Sequence, residues 1–215
     1  MAQIFPQWTN KLPLVAGICG PVLTVLLIGG VWYYGSPKYL EVGYRPHQPV
    51  PYSHKLHVGE LGLDCRYCHA SVELSPVANI PPTKVCMNCH TVLARDSEKL
   101  EPIRASYATG HPVQWVRVHH LPDYAYFNHS AHLRAGVGCV SCHGRVDEME
   151  EVMQVEPLSM GWCLDCHRDP APRLRPTDQI TNMSWTPPED QLQLATSWIA
   201  EKNIHPPVEC SGCHR

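Results

Sequence analysis

Ten of the eleven cysteines fall in five copies of one pattern, Cys-x-x-Cys-His. The copies are Cys65–Cys68–His69, Cys86–Cys89–His90, Cys139–Cys142–His143, Cys163–Cys166–His167 and Cys210–Cys213–His214. Two thiols at this spacing, followed at once by an imidazole, suit covalent attachment of a c-type haem. Each thiol forms a thioether to a former vinyl group, and the imidazole ligates the iron from one side. Two other chemistries fit the cysteines alone. Cys65 to Cys89 reads C-x2-C-x17-C-x2-C, and Cys139 to Cys166 the same with x20, both within zinc-ribbon range. Ten cysteines on an outer face could also pair as disulfides. Neither alternative has a use for the histidines. Histidine is only 14 of 215 residues, yet it follows all five cysteine pairs. The cofactor complement read from the motifs is therefore five covalently attached c-type haems.

The proximal irons take His69, His90, His143, His167 and His214. Nine histidines remain, enough for every sixth position: His47, His54, His57, His111, His119, His120, His129, His132 and His205. His54 with His57, and His129 with His132, stand at i, i+3. On a helical turn they share a face but diverge by roughly 60° and so can reach different irons. The first of each pair is expected to ligate the next haem in the chain, and the second the following one. For the fifth iron the first choice lies between His119 and His120, with His119 placed ahead. His205, Met149, Met153 and Met160 are further distal candidates. A His/Met haem would have a higher potential than a bis-His one. His47 and His111 read as loop residues.

The elements that must position these groups are unusual. With 21 prolines, 14 glycines and two phenylalanines, the chain lacks long apolar periodicity and would struggle to offset its ordering entropy through side chains alone. Five large flat apolar groups change that balance, so the expected fold has short helices and loops wrapped round five haems. The net charge of −3 and the absence of a basic tract give no nucleic-acid signature. Residues 12–34 form the one long apolar run, sufficient for a transmembrane helix. Trp32, Tyr33 and Tyr34 lie at one interface and Trp8 near the other. The run is too long for a signal peptide, and no A-x-A follows it. Basic residues flank both ends, so charge does not set orientation. Haem attachment on the outer face predicts the N-terminus in the cytoplasm and the haem domain on the periplasmic side of a bacterial cytoplasmic membrane. Ala16, Gly20 and Thr24 make a small-residue stripe suited to packing against another membrane helix.

Residues 1–11 are thus a cytoplasmic N-terminus and 35–51 a linker, extended because of its proline and glycine. An internal repeat follows. PYSHKLHVGELGLDCRYCH (51–69) aligns with YFNHSAHLRAGVGCVSCH (126–143), and each is followed by a second motif. Two di-haem modules, 52–118 and 119–172, and a C-terminal arm, 173–215, carrying the fifth haem are expected. In the arm, Thr186 and Glu189 suggest a capping box with Pro187 at the first helical position. Leu192, Ala195 and Ile199 would form the buried face of the helix that follows.

The His-x-x-His pairs upstream of the motifs resemble the class III, cytochrome c3-like multihaem family. The anchor, the five motifs and the stretches PPTKVCMNCH, WVRVHHLPDYAYFNHSAHLRAGVGCVSCHG and PLSMGWCLDCHR together resemble the pentahaem cytochrome c subunit of bacterial alternative complex III. That resemblance implies an electron-transfer subunit of a quinol:electron-acceptor oxidoreductase. It implies an iron–sulfur subunit, multi-span quinol-binding membrane subunits and a mono-haem cytochrome c as partners, with electrons passing to that cytochrome or a terminal oxidase. No bond-making chemistry is expected on this chain, because six-coordinate irons do not bind substrate and no variant motif marks an open site. The alternative is an autonomous membrane-tethered multihaem quinol dehydrogenase feeding a periplasmic reductase.

Overall fold

The computed structural model describes residues 4–214. Contacts divide the chain into two units, one ending at Glu41 and the other beginning at Val42. In the first, a 3-10 turn at Gln7–Lys11 leads into a single helix, Leu12–Tyr34. None of its side chains is buried, and its length and apolarity suit a bilayer span. An apolar helix with no protein cover is at home in hydrocarbon rather than water. The Thr24 hydroxyl donates to the Gly20 carbonyl at 2.9 Å, so the one hydroxyl of the small-residue stripe is satisfied within the helix. At the far end Tyr39 packs edge-on against Tyr34, with centroids 4.8 Å apart, an aromatic group of the kind that sits at headgroup level.

The second unit has no strand among its described residues; two isolated bridges, Ala125 with His214 and Val137 with Leu174, are its only sheet-like pairings. Short helices carry all five motifs: Cys65–Cys68, Thr83–His90, Val140–His143, Met160–Arg168 and Cys210–Cys213. Local chemistry starts and stops them. Asp64, Asn128 and Ser159 are N-caps whose side chains accept backbone N–H groups of Arg66, Ala131 and Trp162. Gly136, at φ +98°, ends the helix His129–Ala135. The core made by side chains is small. Val72 from the first module, Leu133 from the second and Ile180 from the arm form its cluster, joining three separate stretches of chain.

Two expectations need correction. The stretch 35–51 is not all extended. Pro37–Leu40 is a helical turn, and from Val42 onward the chain is packed into the second unit. There Val50 is buried, Gly43 N–H donates to the Gln154 carbonyl, and Gln154 N–H donates to the Tyr44 carbonyl. Gln48 meets the Val116 backbone with both ends of its amide. The C-terminal helix begins at Gln191, with Asp190 as N-cap, and ends at Glu201. The capping box at Thr186 and Glu189 is not its start. Pro187 is followed by Pro188, and a residue before proline is pushed out of the helical region, so the helix waits until the prolines have passed. The buried face shifts accordingly. Gln191 and Ala195 are buried while Leu192 is exposed, and the Gln191 amide donates to the Ala171 and Leu174 carbonyls.

Candidate haem-attachment sites

Each motif occupies one helical turn. His69 N–H donates to the Cys65 carbonyl at 2.9 Å, His143 N–H to Cys139 at 3.0 Å and His214 N–H to Cys210 at 2.9 Å. That closure puts the first thiol and the imidazole one turn apart on the same side of the helix. No group of three or more His, Cys, Asp or Glu side chains converges to hold a metal ion among the described residues. The cysteine pairs of neighbouring motifs therefore do not make the four-ligand cluster a zinc ribbon requires.

The histidine rings are oriented in a shared way. The Nδ1 of His69 is 2.6 Å from the Asn79 carbonyl, that of His90 2.9 Å from Leu93, and that of His167 2.7 Å from Pro207. Among the upstream pairs, His57 Nδ1 meets the Ser53 carbonyl at 2.8 Å, His129 the Pro76 carbonyl at 2.8 Å and His132 the Asn128 carbonyl at 2.7 Å. A carbonyl oxygen only accepts, so each of these nitrogens carries the proton. The other nitrogen, Nε2, is then left with its lone pair, the form that ligates a metal. Burial strengthens the same state: it lowers the pKa of His54 to about 4 and of His143 to about 3, with smaller contributions from neighbouring histidines. Both are neutral at pH 7. His54 Nδ1 is buried without a hydrogen-bond partner.

The ring separations fall into pairs. His57 and His90 have centroids 6.2 Å apart, His132 and His167 6.1 Å, and His129 and His143 6.5 Å with nearly parallel planes. Two metal–imidazole bonds of about 2 Å, plus the ring radii, place two axial imidazoles of one iron about 6 Å apart. The donor set, its protonation and its spacing thus fit haem iron. The internal repeat is equally visible in three dimensions. Tyr52 stacks on His57 at 4.4 Å and meets His54 edge-on at 4.8 Å; Phe127 stacks on His132 at 4.7 Å and meets His129 edge-on at 4.7 Å. Ser53 and Asn128 hold the turns, each by a side-chain oxygen accepting the N–H three residues on.

His119, expected at the fifth iron, has Nε2 3.3 Å from His143 Nδ1, and the ring centroids are 4.4 Å apart. The ring neighbour of His214 is Tyr124, at 5.8 Å. His120 is exposed. His205 is exposed, with Nε2 2.9 Å from Asn203 Oδ1. Met160 is exposed and Met149 half-buried. The carbonyl anchors of the ring nitrogens, and the meeting of His119 with His143, had no signal in the sequence. The cap residues Ser53 and Asn128 before the two His-x-x-His pairs could have been noticed.

Such a fold and donor set define a multihaem cytochrome c with one N-terminal apolar helix. Residues 125–215 match the family described as cytochrome c7 and related cytochrome c. The chain is also 34% identical over 122 residues to a protein of Nitratidesulfovibrio vulgaris named "Menaquinone reductase, multiheme cytochrome c subunit". That match covers 56% of this chain and 55% of the relative, so the chain spans about half the length of the curated relative it matches.

Proposed function

We propose that this chain is a membrane-anchored pentahaem relay, passing single electrons between a quinone-handling membrane partner and an electron carrier outside the cytoplasm. One observation carries the reading: histidines outside the motifs stand at iron-spanning distance from motif histidines, with Nε2 free and Nδ1 tied to a carbonyl. When bound, the haems supply one-electron chemistry, and the chain's own residues decide what else can happen there. Histidines held on both faces would keep other ligands from the iron, and the fixed Nδ1 protons hold each ring in one tautomer. The pairings we propose are His54 with His69, His57 with His90, His129 with His143, and His132 with His167. For the fifth iron we propose His214 with His120. The chain pairs Ala125 with His214, which brings the segment after His120 to the fifth motif, whereas the Nε2 of His205 is already engaged.

The resemblance to the pentahaem subunit of alternative complex III supports an iron–sulfur subunit, multi-span quinol-binding subunits and a mono-haem cytochrome c as partners, with electrons leaving quinol. The haem motifs support a cytoplasmic N-terminus and a periplasmic haem domain. A second reading is favoured by the relative's printed name: a reductase of menaquinone runs electrons toward the quinone instead. Haem quantification with low-temperature EPR of the oxidised protein tests the relay. Five haems per chain, all low-spin, are expected. A high-spin haem that shifts on adding cyanide overturns it in favour of an enzyme. His120→Phe should convert one haem to high spin, whereas His119→Phe should leave five low-spin haems; the reverse result would return His119 to the fifth iron. Quinol oxidation by the chain alone would favour an autonomous quinol dehydrogenase.

A further inference from the structure

We propose that the five attachment sites stand in the order second, first, third, fourth, fifth, so that the first and third sites join the modules and the second and fifth are the ends. The proposal rests on the haem reading above. It starts from a local two-fold relation between the modules. Lys55 N–H donates to the Met149 carbonyl at 3.0 Å, and Ser130 N–H donates to the Ser75 carbonyl at 3.3 Å. Lys55 and Ser130 each follow the first histidine of a His-x-x-His pair. Ser75 and Met149 each lie six residues after the proximal histidine of their module, His69 and His143. One position of the first module thus meets a second position of the other, and the reverse contact is also made. Reciprocal contacts of this kind are the mark of a two-fold axis. On such an axis equivalent residues face each other, and they do: the side chains of Cys65 and Cys139, the first cysteines of equivalent motifs, lie close enough for each to act on the other. The first and third sites therefore meet at their first cysteines.

From this junction each module leads outward by one site. His57 sits one turn along from His54 and faces His90, while Asn88, between the second pair of cysteines, donates to the Tyr67 hydroxyl between the first pair at 3.2 Å. His132 in the same way faces His167. The second site thus lies beyond the first, and the fourth beyond the third. The fifth site extends the second module only. His167 Nδ1 donates to the carbonyl of Pro207, three residues before Cys210, and Cys213 lies close enough to Cys163 to act on its charge. Sequence order would have put the second site between the first and third. The two-fold turns the first module round, so that its second site faces away from the rest.

The order can be read without any turnover. In the full chain in detergent, the haem methyl resonances of each haem are followed by NMR through stepwise reduction. Interaction between redox centres weakens with distance, so altering one potential moves its neighbours most. His57→Met should raise the potential of the second haem and displace the reduction curve of the first, leaving the fourth and fifth unchanged. His132→Met should raise the fourth and displace both the third and the fifth. Should these variants not mature, Tyr52→Phe gives the same readout, since its hydroxyl lies close enough to Cys68 and Cys86 to feel both; it should move resonances of the first and second haems alone. Displacement of the fifth haem by His57→Met or Tyr52→Phe overturns the order. A high-spin haem in the unaltered protein overturns the relay reading instead, which keeps the two failures apart.

Discussion

A histidine whose Nδ1 proton is held by a backbone carbonyl can offer a metal only Nε2, and six rings here are held that way. This chemistry makes single residues answerable. His57→Ala removes the ring 6.2 Å from His90 without touching a motif. If the proposed ligand set holds, one low-spin EPR signal should be replaced by a high-spin signal, the others being kept; His132→Ala should do the same to a different haem. Asp64 acts on folding rather than ligation. Its carboxylate accepts the Arg66 N–H at 2.8 Å and two guanidinium contacts, and the Thr181 hydroxyl donates to it at 2.8 Å. Hydrogen bonds from Arg66 chiefly hold its pKa down, to about 2. A depressed carboxylate stabilises the fold above the ordinary aspartate range, near 4. That contribution falls away as pH drops through about 2. Asp64→Ala should cost about 1 kcal/mol at neutral pH as a lost N-cap. The gap from the unaltered protein should narrow toward pH 2, as measured by denaturant titration.

At the scale of elements, the turn between the His129–Ala135 helix and the third motif is a tight one that only glycine fits. Gly136 has φ +98°, an added Cβ would meet the Arg175 carbonyl, and Arg175 N–H donates back to the Gly136 carbonyl at 2.9 Å. Arg175 is itself buried, its guanidinium over Trp185 at 4.6 Å and donating to the Asn182 carbonyl. Gly136→Ala should therefore destabilise by about 2 kcal/mol or more, from backbone strain plus collision. Chemical denaturation of the matured protein checks it, and an unchanged midpoint would remove the turn from the determinants of the third site. The C-terminal helix teaches the opposite lesson. Its cap signal was strong in sequence and lost to a steric rule, because two successive prolines delay the first helical residue.

For the whole molecule, the division at Glu41 and Val42 separates an apolar helix with no buried residue from a unit with its own small core. A chain beginning at Val42, exported behind a cleavable signal peptide, should mature with its haems and stay in the aqueous fraction, while the full chain should partition with membranes until detergent is added. Haem spectra of the two forms should coincide in the Soret and α-band region; loss of haem from the shorter form would show that the helix is needed for maturation.

The sequence alone determined the five motifs and the chemistry they suit, because a pair of thioether sites with an adjacent ligand demands contiguous residues at fixed spacing. It also determined the membrane-length helix, since apolarity over that length is a local property, and the pairing of His54 with His57 and His129 with His132 on single turns. The tertiary structure decided what depends on residues far apart in the chain. Carbonyls of Pro76 and Pro207 fix His129 and His167 from 53 and 40 residues away, and His119 meets His143 across 24. The nearness of Cys65 to Cys139 comes from the packing of distant stretches on one another, which no linear spacing encodes. Local pattern sets which atoms can ligate; only packing of one module on the other sets which of them become neighbours.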